Sequence, residues 1–530
     1  MTNPTSRCNS NYHDTPFPQT TACRFHPTAM AFYPAARHRP HRSIHDPAVR
    51  PLRLAVIKAA TINLLILQLL FLGLFCYLFG SIFQQTTHIH NLNVVFVDYD
   101  GGAIGQAIRA AYQQLQGPGF PTLQEHSPNT YPQPTSIISA VCNIHYWGGL
   151  YTSPNASNRL SAALTGGLPA TTYNRSDILT LIWNEAHYPT AIDSAIQSTM
   201  QSLSTAARIA YTQSNGPQIL QTMNRTDPAA ISALTNPWSL SSINLQPTTQ
   251  GSRLIYNTLV VILILIQEFF YLGYLNGLYQ QFHLYVAVHA HRIAIVRQLL
   301  SLTYTLIGSL CTTGAIWAFR YGWHVSGGQY MLTWMTLWLF AHLNFLVLDM
   351  FTIWLPPPVV PMALISWVVL NVTSILLPFE LSPGFYRWGY ALPAHSVFQI
   401  MVDIWSGGCN PQLDYALPVL FAYEVVGLVV STVGVYRRAH YAVLAQERGS
   451  KERLTVTDEG EGQGQGEEKA PEETPGEGAA GDAELQRHKT ETETETEGLG
   501  GRIKQEMSRL ERATTSRQSM GPAFDLPYTD

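Results

Sequence analysis

The chain has 530 residues, 46% of them hydrophobic and only 12% charged, with a formal net charge of -4. Its mean hydropathy of +0.02 averages very apolar segments with two polar ends. From Val443 onward it holds 20 of its 35 acids, so the acidity belongs to a tail, and no nucleic-acid partner is expected. Six cysteines (Cys8, Cys23, Cys76, Cys142, Cys311 and Cys409) show no C-x-x-C spacing, which argues against a zinc site or a disulfide scaffold.

Residues 1–52 are rich in Pro, His, Arg and Thr without apolar periodicity, and read as a disordered basic cytoplasmic arm. Residues 54–83 form a first span, too long for a signal-peptide core and without a cleavage site, so it is expected to remain as an anchor. Bases flank the spans unevenly. Arg50, Arg53 and Lys58 lie at the first span, Arg292 and Arg297 by the break between the second and third, and Arg437 and Arg438 after the last; the positive-inside rule then puts both termini in the cytoplasm.

Residues 84–253 are therefore expected on the exoplasmic side. Leu92 to Val97 (LNVVFV) reads as a buried strand, broken by Asp98-Tyr-Asp-Gly-Gly before a helix over Ile104 to Leu115. Tyr146 to Thr152 and Ile178 to Trp183 are further strands, Asn155 to Leu164 and Ala191 to Tyr211 further helices, and Thr212 to Gln250 returns the chain to the membrane. A compact α+β domain fits this pattern. The sequons at Asn155, Asn174 and Asn224 all fall here and are glycosylation candidates, while a fourth at Asn371 lies within a span.

Residues 254–436 are a membrane block of five hydrophobic segments: Leu254 to Leu275, Ile293 to Phe319, Gln329 to Trp354, Val359 to Phe379 and Asp414 to Val435. Each reaches or approaches the roughly 20 apolar residues that cross the bilayer core. The fold class is an α-helical polytopic membrane protein of six spans, with the α+β domain between spans one and two. Pro356-Pro-Pro358 makes a turn between spans four and five, and Glu380 to Pro411 reads as an interfacial or a re-entrant element. Residues 437–530, with the TETETETE run from Thr490 to Glu497, read as an acidic disordered cytoplasmic tail, either a solvated solubilising segment or a phosphorylated one that docks a partner.

Enzymatic signals are weak: there is no Gly-Lys dipeptide for a Walker A loop, no G-x-S-x-G and no H-E-x-x-H. No enzyme activity, metal or cofactor is expected. His283, His289 and His291 read as a solvated loop, and Asp98 and Asp100 as turn-forming and helix-capping residues in preference to metal ligands. The intramembrane acids carry the functional reading, because a charge at the centre of a span costs roughly 2.5–3.5 kcal/mol on insertion scales. Glu268, Asp349 and Glu424, with Gln267, His342, Asn344 and Asn371 nearby, are candidates for a substrate or proton pathway. The alternative reading has Asp349 reach the interface and Glu268 cap a helix contact with a hydrogen bond. Cys142 and Cys409 share the oxidising side and could pair, although two free thiols is the preferred reading.

The stretches NVVFVDYDGGAIGQAI, YWGGLYTSPNASNRLSAAL, IWNEAHYPTAIDSAI, GGQYMLTWMTLWLF, SWVVLNVTSILLPFELSPGFYRWGYALP and PAHSVFQI, in this order, resemble the fungal nitrosoguanidine-resistance type membrane proteins. That family carries a domain of unknown function and is similar in layout to the phage-infection-protein and ABC-2 permease-like group. The family has Gly and Glu at the end of the fourth span, where this chain has Leu346-Val-Leu-Asp349. The resemblance implies a plasma-membrane or endomembrane protein linked to tolerance of toxic compounds. Two readings follow: a permease-like protein that exports or redistributes amphiphilic drugs or lipids, or a non-transporting regulator or adaptor that senses membrane or cell-wall state. The lipid bilayer is the expected partner, with a homo-oligomer and a protein bound to the tail as further candidates.

Overall fold

The β-branched run after the first long helix nucleates a sheet. In the computed structural model, which describes residues 45–252 and 259–461, Asn93–Asp98 forms β1, the centre of its half of the sheet. It pairs in parallel with β2 (Thr122–His126) and β3 (Gly148–Thr152); β3 pairs antiparallel with β4 (Leu179–Trp183), and β4 in parallel with β5 (Leu240–Asn244). The order is β2-β1-β3-β4-β5. Alternation along β1 sends Val94 and Phe96 into a core with Ile104 and Ile108 of helix α2, while Val95 and Val97 meet Ile137 and Val141 on the opposite face. Helices thus cover both faces, as mostly parallel sheets require.

Helix α1 is Arg50–Ser81, and its apolar side chains, Leu64 and Leu69 among them, are exposed. Helix α2 is Ala103–Leu115, α3 Pro134–Cys142, α4 Ala156–Leu164, α5 Thr199–Thr222 and α6 Pro228–Thr235. The starts of α2 and α4 cap one another: Ile104 N–H donates to Ser157 Oγ (3.1 Å), and Ser157 N–H donates to Asp100 Oδ1 (2.9 Å). Asp100 therefore caps α4, not the helix that follows it. Asp98 accepts from Thr152 Oγ1 (2.6 Å), Gly101 N (3.0 Å) and Arg109 Nη2 (2.8 Å). Gly105 of α2 has no side chain because the Asp98 carboxylate occupies the place of its Cβ.

The later part of the chain is a block of helices: α7 (Leu259–Gln281), α8 (Ala290–Ala318), α9 (Gly327–Trp354), α10 (Val360–Thr373), α11 (Pro393–Trp405) and α12 (Leu413–Glu461). Among the described residues, five helices are long and apolar enough to cross a membrane: α1, α7, α8, α9 and α12. The sixth expected span is a shorter apolar helix, Pro357–Thr373 counted from its leading 3-10 turn. Helix α10 has 14 residues, about 21 Å at the standard rise, against about 30 Å of hydrocarbon. It ends where Ser374 Oγ donates back to Asn371 O (2.6 Å) and Pro378 removes a backbone donor. The chain then turns through a 3-10 segment, Gly384–Ala391, into α11. Instead of lying in the interface, α11 is buried along most of its 13 residues and packs against α9 and α12.

One further expectation shifts. The last helix does not stop at Val435 but continues through Glu461, over a run of good helix formers such as Ala, Leu, Gln, Glu and Arg. The N-terminal arm to residue 44 and the tail from 462 lie outside the described residues, as do positions 253–258.

The sheet joins the helical block through specific contacts. Cys142, at the end of α3, forms a disulfide with Cys409, so these are not the two free thiols expected. His187 Nε2 donates to Cys409 O (2.9 Å), Gln399 Nε2 donates to Tyr188 Oη (3.2 Å), and Asn91 Nδ2 donates to Glu380 O (2.9 Å). The apolar core is continuous across this junction, from Trp183 and Tyr188 to Ala394 and Phe398.

Candidate intramembrane polar site

Helices α7, α8, α9 and α12 pack closely because small residues let them approach. On α12, Gly427, Ser431 and Gly434 recur on one helix face, and side chains of Leu346 and Ile353 from α9 occupy the places that β-carbons would fill at the two glycines. This face carries polar groups into the block at two levels.

The level farther from the sheet is an ionic cluster. Asp349 of α9 accepts from Arg297 Nη2 of α8 (2.6 Å) and Arg438 Nη1 of α12 (3.1 Å) on Oδ1, and from Ser431 Oγ (2.6 Å) on Oδ2. Asn276 of α7 accepts from Arg297 Nη2 (2.8 Å), and Thr352 Oγ1 accepts from Arg438 Nη2. The faces of Tyr279 and Phe345 lie 5.5 and 5.8 Å from the Arg297 guanidinium. Asp349 and Arg297 are wholly buried. A buried carboxylate survives by being paired and fully hydrogen-bonded, and here the pairing ties four helices together. Asp349 is thus the hub of these inter-helix contacts.

The nearer level is a hydrogen-bonded chain. Ser301 Oγ of α8 donates to Gln298 O (2.9 Å), and also lies 3.1 Å from His342 Nε2. His342 Nδ1 is 2.6 Å from Glu424 Oε1, so a hydrogen lies between the two side chains. Glu424 Oε2 has no hydrogen-bond partner, although its side chain is 14% exposed.

Glu268 of α7 stands apart. It is 1% exposed and neither carboxyl oxygen meets a hydrogen-bond partner. Its neighbour Gln267 lies over Gly308 of α8, filling the place of a Cβ there, and one turn on, Tyr271 stacks on Tyr304 at 3.5 Å. The three intramembrane acids are consequently not one cluster: Asp349 is paired with arginines, Glu424 with a histidine, and Glu268 with neither.

Other expected positions separate from this site. Asn371 is buried between α10 and α11; its Oδ1 accepts from Ala394 N (3.1 Å) at the start of α11, and its Nδ2 donates to Trp367 O (2.9 Å). It is a helix tie. Asn344 Oδ1 accepts from Trp367 Nε1 (2.9 Å). The sequon residues Asn155, Asn174 and Asn224 are all exposed on the sheet domain, and Asn174 and Asn224 accept from the backbone two residues on (3.1 Å each). Sequence reasoning missed Arg297 and Arg438 as site members, having read them only as flanking charges.

The family described as "Protein of unknown function (DUF3533)" matches residues 63–429. The chain belongs to this family. In this DUF3533 protein the matched stretch holds Glu268, Arg297, Ser301, His342, Asp349 and Glu424, while Ser431 and Arg438 lie beyond it. A Saccharomyces cerevisiae protein named "Uncharacterized endoplasmic reticulum membrane protein YJR015W" is 24% identical over 304 residues, covering 53% of this chain and 57% of that relative. The chain thus matches a little over half of that relative's length. It is a multi-pass membrane protein of a family without an assigned activity.

Proposed function

We propose that this DUF3533 protein is a permease-like membrane protein that exports or redistributes amphiphilic compounds or lipids, with tolerance of toxic compounds as its outcome. The observation that carries this reading is Glu268, a carboxyl deep in a helix block with no partner. An unpaired carboxylate in such a place is costly, so the group calls for a proton or a cation as its companion. The hydrogen-bonded His342–Glu424 pair supplies a second group suited to proton exchange. In this reading the sheet domain is exoplasmic and glycosylated at Asn155, Asn174 and Asn224, the termini are cytoplasmic, and the ionic cluster closes the cytoplasmic end. The likeness to an endoplasmic-reticulum protein supports an endomembrane location over the plasma membrane.

The test uses purified protein in liposomes, following a fluorescent cationic amphiphile and a labelled phospholipid with and without a proton gradient. Protein-dependent movement that falls in Glu268→Gln is the expected result. Absence of movement for both probes, from protein with its Cys142–Cys409 bond intact, sinks the transport reading and leaves the regulator or adaptor.

A further inference from the structure

A second polar site, outside the membrane seam, lies where the sheet meets the helical block. There a cavity of about 50 Å³ is lined by Tyr188, Phe379, Glu380, Tyr390, Asn410 and Tyr415 among others. Its walls are mostly rings. Tyr390 is 4.5 Å from Phe379, 5.0 Å from His395 and 6.1 Å from Tyr415 between ring centroids, and on the sheet side Tyr188 lies 6.4 Å from Trp147. Ring faces attract cations, more strongly when water is excluded.

Two acceptors line this box, a carboxyl without an ion pair and a buried amide oxygen without a donor. Among the described residues Glu380 makes no ion pair, and it lines the cavity together with Tyr188, Tyr390 and Tyr415. Burial pushes its carboxyl up, opposed by a hydrogen bond from its own backbone N–H and then by the exposed Arg387. The second acceptor is Asn410, wholly buried. Its Nδ2 donates to both Gln399 O (2.8 Å) and Gln399 Oε1 (2.9 Å), which fixes the amide orientation and leaves Oδ1 buried with no partner. His187 adds no compensating charge, because burial lowers it to about 4.

We propose that this cavity binds a primary ammonium group, carried by an aminophospholipid headgroup or by a free amphiphilic amine. Three N–H donors match the Glu380 carboxylate, Asn410 Oδ1 and the ring faces. Hydrogen bonding selects the primary form: Asn410 Oδ1 and the Glu380 carboxylate both take an N–H donor, which an ammonium supplies and a trimethylammonium lacks. Location favours a lipid source, since Tyr386, Trp388 and Tyr390 nearby are the residue types found at headgroup level.

The experiment is a binding measurement, independent of whether the chain transports. Full-length protein in phosphatidylcholine nanodiscs is given phosphatidylethanolamine, dodecylamine or dodecyltrimethylammonium, and the retained molecules are counted by native mass spectrometry. Retention of phosphatidylethanolamine alone assigns the site to a lipid headgroup, and retention of dodecylamine as well assigns it to amphiphilic primary amines generally. Glu380→Gln and Tyr390→Leu should each cut retention at least about tenfold; Tyr390 is 42% exposed, so its replacement leaves the core in place. Equal retention of the quaternary and primary amines by the wild-type chain overturns the proposal, as does undiminished retention in both variants.

Discussion

Asp349→Asn is the sharpest test of the ionic cluster. The substitution keeps the side chain's shape and removes the one negative charge facing two buried guanidiniums. Arg297 and Arg438 would then share Asn276 Oδ1 and Thr352 Oγ1 as acceptors, in a cluster where Arg297 Nη1 and Arg438 Nε already lack partners. Breaking a buried pair by removing one partner costs about 3–5 kcal/mol, because a desolvated charge is left behind. At about 2 °C per kcal/mol for a large body, the unfolding midpoint of detergent-solubilised protein should fall by about 6–10 °C. Replacing all three residues by apolar ones of similar volume should recover most of that loss, since both sides of the desolvation cost disappear together. A midpoint within about 1 °C of wild type for Asp349→Asn would refute the packing role. Loss of probe movement without loss of stability would instead return Asp349 to the pathway.

Other expectations concern the second level and the sheet junction. Glu424→Gln leaves His342 a neighbour that cannot exchange a proton, so proton-gradient dependence of probe movement in liposomes should vanish while the unfolding midpoint moves by less than about 2 °C. Cys142→Ser should abolish the mobility difference between reduced and non-reduced protein on a gel and cost about 2–4 kcal/mol, typical of a bridge closing a long loop. His187 is held neutral in the folded state, its value lowered by burial from 6.5 to about 4. Its contribution is therefore fully present above pH 6.5 and is lost as pH falls toward 4, by on the order of 3 kcal/mol in total. Unfolding midpoints measured across that range should fall with acid in wild type and lie flatter in His187→Gln.

How much of this was visible in the sequence depends on burial. Strand β1 and helix α2 were legible because Val94 to Val97 are buried on both faces and the Asp-Tyr-Asp-Gly-Gly break is unambiguous turn chemistry. The edge strands β2 (TLQEH) and β5 (LSSIN) escaped, since a half-exposed edge carries no apolar run to read. Hydropathy read Val359 to Phe379 as one apolar stretch, whereas the helix there ends at Thr373, with Asn371 bonded to the start of α11. Composition registers what is buried, not whether lipid or protein buries it, and α11 shows the same ambiguity.

The polar site divides along a similar line. The three acids stood out because an acid inside a span is rare, but their partners did not. An arginine near a span end gives one sequence signal whether it flanks the membrane or enters the block, and Arg297 lies seven residues, about 10 Å, inside α8. Once the partners are known, the acids differ in kind. Were all three present only to hold helices together, each should be satisfied as Asp349 is, with its lone pairs occupied and its charge balanced. Glu424 instead shares a hydrogen with His342, and Glu268 has no partner at all. A block able to saturate one carboxylate so completely, and leaving two others open one turn and more away, retains those two at a stability cost that packing alone does not repay.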